Sequence, residues 1–87
     1  MKIDVLLNRL WDDEKRLQRW PRKQKQQFVC LEYVIDKVPK AKQYTEKEIN
    51  RLIKAWITFE DYVRVRRQLV DFGFLGRTKD GSSYWRL

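Results

Sequence analysis

The segment YTEKEINRLIKAW, residues 44–56, places the firmest constraint on the fold of this chain. Thr45 is followed three residues later by Glu48, which is the spacing of a capping box at a helix N-terminus. Apolar side chains then recur at helical spacing along one side, namely Ile49, Leu52, Ile53 and Trp56. The segment therefore predicts an amphipathic helix with a defined start and one face against a core.

A second helix is predicted over residues 62–72. The segment TFED, which begins at Thr58, repeats the capping signal in a weaker form, and Gly73 suits the left-handed conformation that ends many helices. Asp80-Gly81 then provides a two-residue turn signal between two strand-like runs, which is typical of a β-hairpin. This half of the chain is therefore expected to form two helices followed by a hairpin.

Two more helices are predicted upstream. Pro21 suits the first turn of a helix and Pro39 ends it, and Cys30 lies at the edge of the apolar stripe between them. The members of this stripe are Phe28, Leu31, Val34, Ile35 and Val38. A shorter stripe, before an acidic break at residues 12–14, consists of Ile3, Leu6, Leu7 and Leu10. The shorter stripe either packs on the domain or pairs with its copy in a homodimer.

The order of these elements favours one architecture. At 87 residues the chain is expected to form a single domain. A helix, a short extended stretch at Tyr44, two further helices and a hairpin follow the order of a winged helix-turn-helix. We therefore predict a mainly α, α+β fold with three helices and a C-terminal β-hairpin, preceded by an extra N-terminal helix. Residues 1–16 would form the N-terminal helical extension and residues 17–87 the winged-helix domain.

Composition restricts the function of the chain. Twenty Lys and Arg residues against twelve Asp and Glu leave a net charge of +8, which favours a polyanionic partner. The sequence has no histidine and one cysteine, so the commonest general base, a cysteine–histidine pair and the usual zinc motifs are all missing. We predict no enzyme, no metal and no cofactor. Without a signal peptide or a membrane-spanning run, a cytoplasmic setting is expected.

Several segments resemble one bacterial family. They are YTEKEINRLI from residue 44, DYVRVRRQLVDFGFLGR from residue 61 and DGSSYW from residue 80, with a looser likeness in RWPRKQKQQFVCLEYV from residue 19. Together they are similar to the domain-of-unknown-function family numbered 2087, over Leu17 to Leu87. Members sometimes occur attached to helix-turn-helix repressor-like domains, so the resemblance implies transcriptional regulation and brings no established activity with it.

The predicted helix over residues 62–72 carries arginines that point in different directions. At about 100° per residue, Arg66 falls on the apolar arc, where a charge needs a partner. We predict that it is structural, paired with one of four carboxylates: Asp61, Asp71, Glu46 or Glu48. The outer arc consists of Arg64, Arg67, Gln68 and Asp71. Asp71 is predicted to be a structural charge. The alternative to DNA contact by the outer arc is a solvated face on which Arg67 pairs with Asp71, four residues later.

The outer arc has the chemistry of a nucleic-acid interface. Arginine can bind guanine and glutamine can bind adenine through two hydrogen bonds each, and a recognition helix presents such residues to the major groove. Phosphate contacts are predicted for Lys47, Arg51 and Lys54 on the preceding helix and for Arg77 and Lys79 on the hairpin. We therefore predict a small winged-helix protein that regulates transcription by contacting duplex DNA. The alternative is a winged-helix protein–protein interaction module whose basic face binds an acidic partner, without intrinsic DNA binding.

Overall fold

Within the residues that the structure describes, the fold combines three helices with one small sheet. The computed structural model describes residues 10–40 and 42–87, so the predicted stripe residues Ile3, Leu6 and Leu7 lie outside the described part. The elements are α1 Gln24–Ile35, β1 Gln43–Tyr44, α2 Glu46–Lys54, α3 Tyr62–Asp71, β2 Leu75–Arg77 and β3 Tyr84–Arg86. The strands are antiparallel in the order β1-β3-β2. The predicted α+β class is confirmed, and the strand at Tyr44 extends the predicted hairpin to three strands.

The capping box at the start of α2 is formed as predicted. Thr45 Oγ1 accepts a hydrogen bond from the Glu48 backbone N–H at 3.1 Å, and Glu48 Oε1 accepts one from the Thr45 N–H at 2.8 Å. The bond from the Thr45 backbone lowers the pKa of the Glu48 carboxyl. Ile49 and Ile53 are completely buried. The local signal thus starts the helix, and its apolar face attaches it to the core.

Helix α1 begins later than the sequence indicates. Its first residue is Gln24, so the placement of Pro21 in the first turn was wrong. The Gln27 side chain is buried and donates from Nε2 to the Pro21 carbonyl at 2.9 Å, which holds the preceding residues in a turn outside the helix. The Pro21 carbonyl therefore receives its hydrogen bond from a side chain of α1, while Pro21 itself stays outside the helix.

Both ends of α3 lie close to where the sequence places them. The helix begins at Tyr62, directly after the TFED segment, and its N-cap is Asp61, the last residue of that segment and not Thr58; Asp61 Oδ1 accepts a hydrogen bond from the Arg64 backbone N–H at 3.3 Å. At the other end the helix is capped by Phe72, and Gly73 has a φ of 81°, as predicted. Both ends are set by residues within four positions of the terminus.

The hairpin loop is longer than a two-residue turn. Arg77 pairs with Tyr84 at the end of the ladder, and the Thr78 N–H donates to the Ser83 carbonyl at 3.0 Å. Residues 79–82 remain as a four-residue loop. The Asp-Gly signal located the reversal of the chain correctly, but the predicted loop length was wrong.

Asp80 explains why the longer loop is favoured. Its Oδ1 accepts hydrogen bonds from the Ser82 N–H at 3.0 Å and from Thr78 Oγ1 at 2.8 Å. These bonds, the one from Ser82 first, lower the pKa of the Asp80 carboxyl to about 2. Gly81 supplies a φ of 74°, which few other residues adopt without strain. The aspartate thus closes the loop with its side chain.

A glycine in β2 makes room for an aromatic ring. Gly76 lies opposite Trp85 on β3, and a Cβ at position 76 would overlap the Trp85 indole. The ring therefore occupies the space that any larger residue at position 76 would need.

The predicted stripe reaches the core with one exception, although the helix ends at Ile35 and not at Pro39, so Val38 lies in the turn that follows α1. Its buried members are Leu31, Val34, Ile35 and Val38. Phe28 was predicted to share the core, but its side chain is 42% exposed. Its ring centroid lies 6.2 Å from that of Phe72 and 5.3 Å from that of Phe74. Phe28 therefore belongs to an aromatic cluster at the edge of the core.

Cys30 is more deeply buried than its place at the stripe edge indicated. It is completely inaccessible, and burial raises the pKa of its thiol to about 12. The neutral thiol behaves as a small apolar side chain. Within residues 10–40 and 42–87, no three His, Cys, Asp or Glu side chains are grouped so that they could hold a metal ion, and no helix is long and apolar enough to cross a membrane.

The segment before α1 packs on the same core. Leu10 and Leu17 are both buried, and a turn stabilised by the Asp12 carboxylate connects them. The Leu17 N–H donates to the Trp56 carbonyl at 2.7 Å, and the Leu17 carbonyl accepts from the Thr58 N–H at 2.8 Å. These bonds attach the segment to the chain that follows α2.

Candidate nucleic-acid interface

The outer side of α3 carries the residues predicted to read DNA. Arg64 and Arg67 are exposed and Gln68 is half-buried, whereas Val65 and Leu69 are completely buried on the inner side. Within the described residues, neither arginine forms an ion pair. The outer side bears a concavity of about 410 Å³ that is lined by Asp61, Val63, Arg64, Arg67, Gln68 and Asp71. The three predicted reading residues therefore share one surface.

Gln68 differs from its two neighbours in the concavity. Its Oε1 is buried and has no hydrogen-bond partner within the described part of the chain. A buried acceptor without a partner costs about 1–3 kcal/mol. Rotation of the amide toward a donor that enters the concavity would remove that cost.

Arg66 is paired on the inner side of α3. Its side chain is 14% exposed, its Nη1 donates to Asn50 Oδ1 at 2.6 Å, and its Nη2 lies 3.4 Å from Glu46 Oε1. Glu46 is one of the four carboxylates that the sequence offered as partners. Asn50 was not anticipated, because only the packing of α2 against α3 brings the two side chains together.

The Arg66 network also includes the sheet. The hydroxyl group of Tyr84 on β3 donates to Glu46 Oε1 at 3.1 Å. Burial, followed by this hydrogen bond, raises the pKa of Tyr84, so the phenol stays protonated as the donor. The network connects α2, α3 and β3 through four side chains, which are Glu46, Asn50, Arg66 and Tyr84. Arg66 thereby fixes the orientation of the helix whose outer side carries Arg64 and Arg67.

Asp71 is exposed at the end of α3. The Arg67–Asp71 ion pair of the solvated-face alternative is not formed, because the ion pairs within the described residues involve Arg16 and Arg66 only. Asp71 was predicted to be a structural charge, and no ion pair holds it within residues 10–40 and 42–87. The outer concavity therefore contains free charges of both signs.

The basic residues of α2 are exposed, as their helical positions indicate. Lys47, Arg51 and Lys54 all lie at the surface. The Lys54 Nζ lies 4.3 Å from the ring centroid of Tyr62, the first residue of α3. Lys54 thus contributes a cation–π contact between the helices, while Lys47 and Arg51 face solvent.

The two predicted hairpin residues have different environments. Lys79 is exposed within the loop. Arg77 Nε donates to the Thr78 carbonyl at 3.0 Å, and its Nη2 donates to the Lys79 carbonyl at 2.9 Å. Arg77 therefore stabilises the loop, and both of its acceptors are neutral carbonyls; it forms no ion pair within the described part of the chain.

A further cation site was not visible in the sequence. The Lys37 Nζ lies 4.6 Å from the Tyr33 ring centroid and 4.4 Å from that of Trp56, and the Trp11 ring lies 4.3 Å from the Tyr33 ring. Tyr33 lies four residues before Lys37, but Trp11 and Trp56 come from two other segments, so no local spacing could indicate the whole cluster. Lys37 contributes to the packing of α1 against the end of α2.

These observations define a small α+β domain in which a basic helix lies beside a hairpin. The chain belongs to the bacterial family DUF2087, described as an uncharacterized protein conserved in bacteria, whose model matches residues 16–86. The resemblance found in the sequence is thereby confirmed. No curated protein and no solved structure matches the chain.

Proposed function

We propose that this protein is a small winged-helix DNA-binding protein that regulates transcription. The observation that carries the proposal is the outer side of α3. It presents two exposed arginines, Arg64 and Arg67, in one concavity with Gln68, and neither forms an ion pair with any residue that the structure describes. The inner side of the same helix is held by buried contacts. A rigid helix with free guanidinium groups suits the DNA major groove.

The order of the elements supports this function. Helices α2 and α3 are consecutive, and a hairpin follows them, so α3 stands where a recognition helix stands in a winged helix. The Lys79 loop then corresponds to the wing. Exposed Lys47 and Arg51 on α2 would contact phosphates beside the groove.

The energetics assign different roles to these residues. The net charge of +8 favours release of counterions from DNA, which supplies affinity without sequence preference. A bidentate contact from Arg64 or Gln68 to a base would contribute about 1–3 kcal/mol of discrimination. We expect substitutions of Lys47, Arg51 or Lys79 to weaken binding to all DNA sequences alike. Substitutions of Arg64 or Gln68 should instead reduce the preference for one DNA sequence over others.

A second candidate function rests on the acidic residues of the concavity. Asp61 and Asp71 line it together with the arginines, and both carboxylates repel phosphate. A protein partner can present an acidic patch to Arg64 and Arg67 and basic side chains to the two aspartates, whereas the DNA backbone presents phosphates only. In this alternative the domain is a winged-helix protein–protein interaction module.

A duplex-binding titration separates the two functions. Anisotropy of a labelled duplex is measured with the full chain at several salt concentrations, and each phosphate contact is expected to steepen the slope of log K against log salt by about 0.9. Arg64→Ala should weaken binding, whereas Arg19→Ala, which changes an exposed arginine outside α2, α3 and the hairpin, is the matched control. Lack of duplex binding at low salt would refute DNA binding and favour the protein-interaction module.

A further inference from the structure

A separate cleft lies between α3 and the hairpin. It has a volume of about 250 Å³ and is lined by Arg66, Arg67, Val70, Asp71, Arg77 and Tyr84. Arg67 and Asp71 also line the outer concavity of α3, so the two depressions adjoin at these residues. The cleft therefore has walls from α3 as well as from the hairpin, and it adjoins the surface of α3 that carries Arg64.

The arginines of this cleft are not equally available. Arg66 has its charge balanced by Glu46, and the Tyr84 hydroxyl also donates to that carboxylate. Arg77 is held on the loop through Nε and Nη2, but its partners are neutral carbonyls, so its positive charge is not balanced there. Arg67 forms no ion pair within the described residues. The two arginines with unbalanced charge, Arg67 and Arg77, border the same cleft.

The charge balance of the cleft favours an anion. Three arginines line the cleft, and two carboxylates lie near them: Asp71 at the rim and Glu46, which pairs with Arg66. Positive charge therefore exceeds negative charge by one. Asp71 is exposed, where solvent and salt weaken its repulsion. Because the loop carbonyls already order Arg77, binding an anion requires less loss of side-chain freedom from that residue.

We infer that this cleft binds a single phosphate group between Arg67 and Arg77. A guanidinium fork matches two phosphate oxygens, and two arginines can hold one tetrahedral group from different elements. The phosphate belongs either to a nucleic-acid backbone or to a free phosphorylated molecule, and only the first source rests on the proposed function. Arg67 then positions the phosphate and leaves base reading to Arg64 and Gln68.

The first test measures phosphate binding without DNA. Inorganic phosphate and pyrophosphate are titrated into the isotope-labelled full chain at constant ionic strength, with chloride as the reference anion, and amide and arginine Nε–H resonances are followed by NMR. Saturable shifts are expected at Arg67, Arg77 and the loop. Arg67→Ala should weaken binding by about tenfold, the equivalent of one charge-assisted hydrogen bond. Arg64→Ala, which alters the adjoining concavity only, should leave it unchanged.

The outcomes of this test are distinct. Shifts that do not saturate, or equal weakening by Arg64→Ala and Arg67→Ala, would overturn the phosphate site. Arg67→Lys provides a second variant, because it retains the charge and loses the fork. Partial retention of phosphate binding by Arg67→Lys supports the assignment. Full retention would show that a point charge at position 67 is sufficient, and it would contradict a guanidinium that binds two phosphate oxygens.

The second test identifies the source of the phosphate. With duplex DNA, Arg67→Ala should reduce the salt slope by about one phosphate contact and leave the ratio between preferred and random sequences unchanged. Phosphate binding in the cleft without duplex binding would refute the DNA function and assign the site to a free phosphorylated molecule. Loss of sequence preference with an unchanged salt slope would overturn the proposed phosphate site between Arg67 and Arg77, while the proposal of DNA binding would stand.

Discussion

Arginine side chains on the inner and outer sides of α3 have opposite environments. Arg66 contacts Asn50 and Glu46 and is mostly buried, whereas Arg67, the next residue, is exposed and forms no ion pair within the described residues. One step along a helix turns a side chain by about 100°, which is enough to move it from the junction of three elements to solvent. Position on the helix, and not residue type, decides which arginine is structural.

The two sides also depend on each other. Removal of a charge from water is costly, so Arg66 must retain its partners to be stable where it lies. Those partners come from α2, and Glu46 is bound in turn by Tyr84 of the sheet. Arg66 thus orients the helix that displays Arg64 and Arg67, for which the described residues provide no ion pair. Three predictions test this relation, and a fourth concerns Asp80 in the hairpin loop.

Replacement of Arg66 by alanine is expected to have the largest effect. It leaves Glu46 and Asn50 without their partner, and because Arg66 is 14% exposed and Glu46 49%, the loss should be below that of a fully buried pair. We expect unfolding free energy to fall by about 2 kcal/mol and the melting temperature by roughly 10 °C. Circular dichroism during heating measures this change. Arg64→Ala is the control, expected within about 0.5 kcal/mol of wild type, and equal melting of the two variants would contradict the distinction.

Tyr84→Phe tests whether the sheet takes part in the inner network. The variant keeps the buried ring and removes the hydroxyl group that donates to Glu46, so we expect a loss of about 1 kcal/mol in urea unfolding. Tyr33→Phe is the matched control, because its hydroxyl donates to the Lys15 carbonyl in an exposed position. A loss in Tyr84→Phe no larger than that of the control would remove β3 from the network.

Gln68→Met tests the outer side. Because Gln68 Oε1 is buried without a partner within the described residues, replacing the amide with a thioether should raise the unfolding free energy by about 0.5–1 kcal/mol. The same change should weaken duplex binding, since a hydrogen-bonding group of the concavity is lost. Urea unfolding and duplex titration are compared with Gln24→Met, an exposed change in α1. Lower stability combined with unchanged binding would show that Gln68 is structural.

The smallest effect is expected at Asp80, whose carboxylate is exposed and yet accepts hydrogen bonds within the loop. Its folded pKa of about 2 lies below the usual 3.8, so its contribution is present above the usual pKa and is lost as pH falls through the folded pKa. Asp80→Asn should therefore lower stability at neutral pH, where the contribution of the carboxylate is fully present, and flatten the decline of stability between these two values. Denaturation curves over this range measure it. An unchanged acid profile would show that the loop bonds of Asp80 do not stabilise the fold.

Local signals were predictable where the interacting groups lie within a few residues. The Thr45–Glu48 box and the Gly73 stop formed as expected, because a cap requires only the adjacent turn. The start of α1 was wrong because the buried Gln27 side chain binds the Pro21 carbonyl, a contact that propensity does not include. The length of the hairpin loop was wrong for a similar reason, since the side-chain bonds of Asp80 outweigh the usual preference for a two-residue Asp-Gly turn.

The candidate interface was predictable in part. The helical period separated Arg66 from Arg64 and Arg67, because side-chain direction on a helix follows from position alone. The period could not show that Arg77 binds the loop carbonyls, nor that Arg67 borders a second cleft with it, because both facts depend on where the hairpin lies beside α3.

The sequence by itself determined the succession of elements, the capped start of α2, the stop after α3 and the opposite directions of its arginines. These features depend on backbone periodicity and on hydrogen bonds between near neighbours. Only the tertiary structure decided that Glu46 and Asn50 receive Arg66, that Phe28 stays outside the core and that Lys37 lies over two aromatic rings. Apart from the Tyr33–Lys37 contact, which spans four residues, these contacts join residues far apart in the chain, and packing selects their partners.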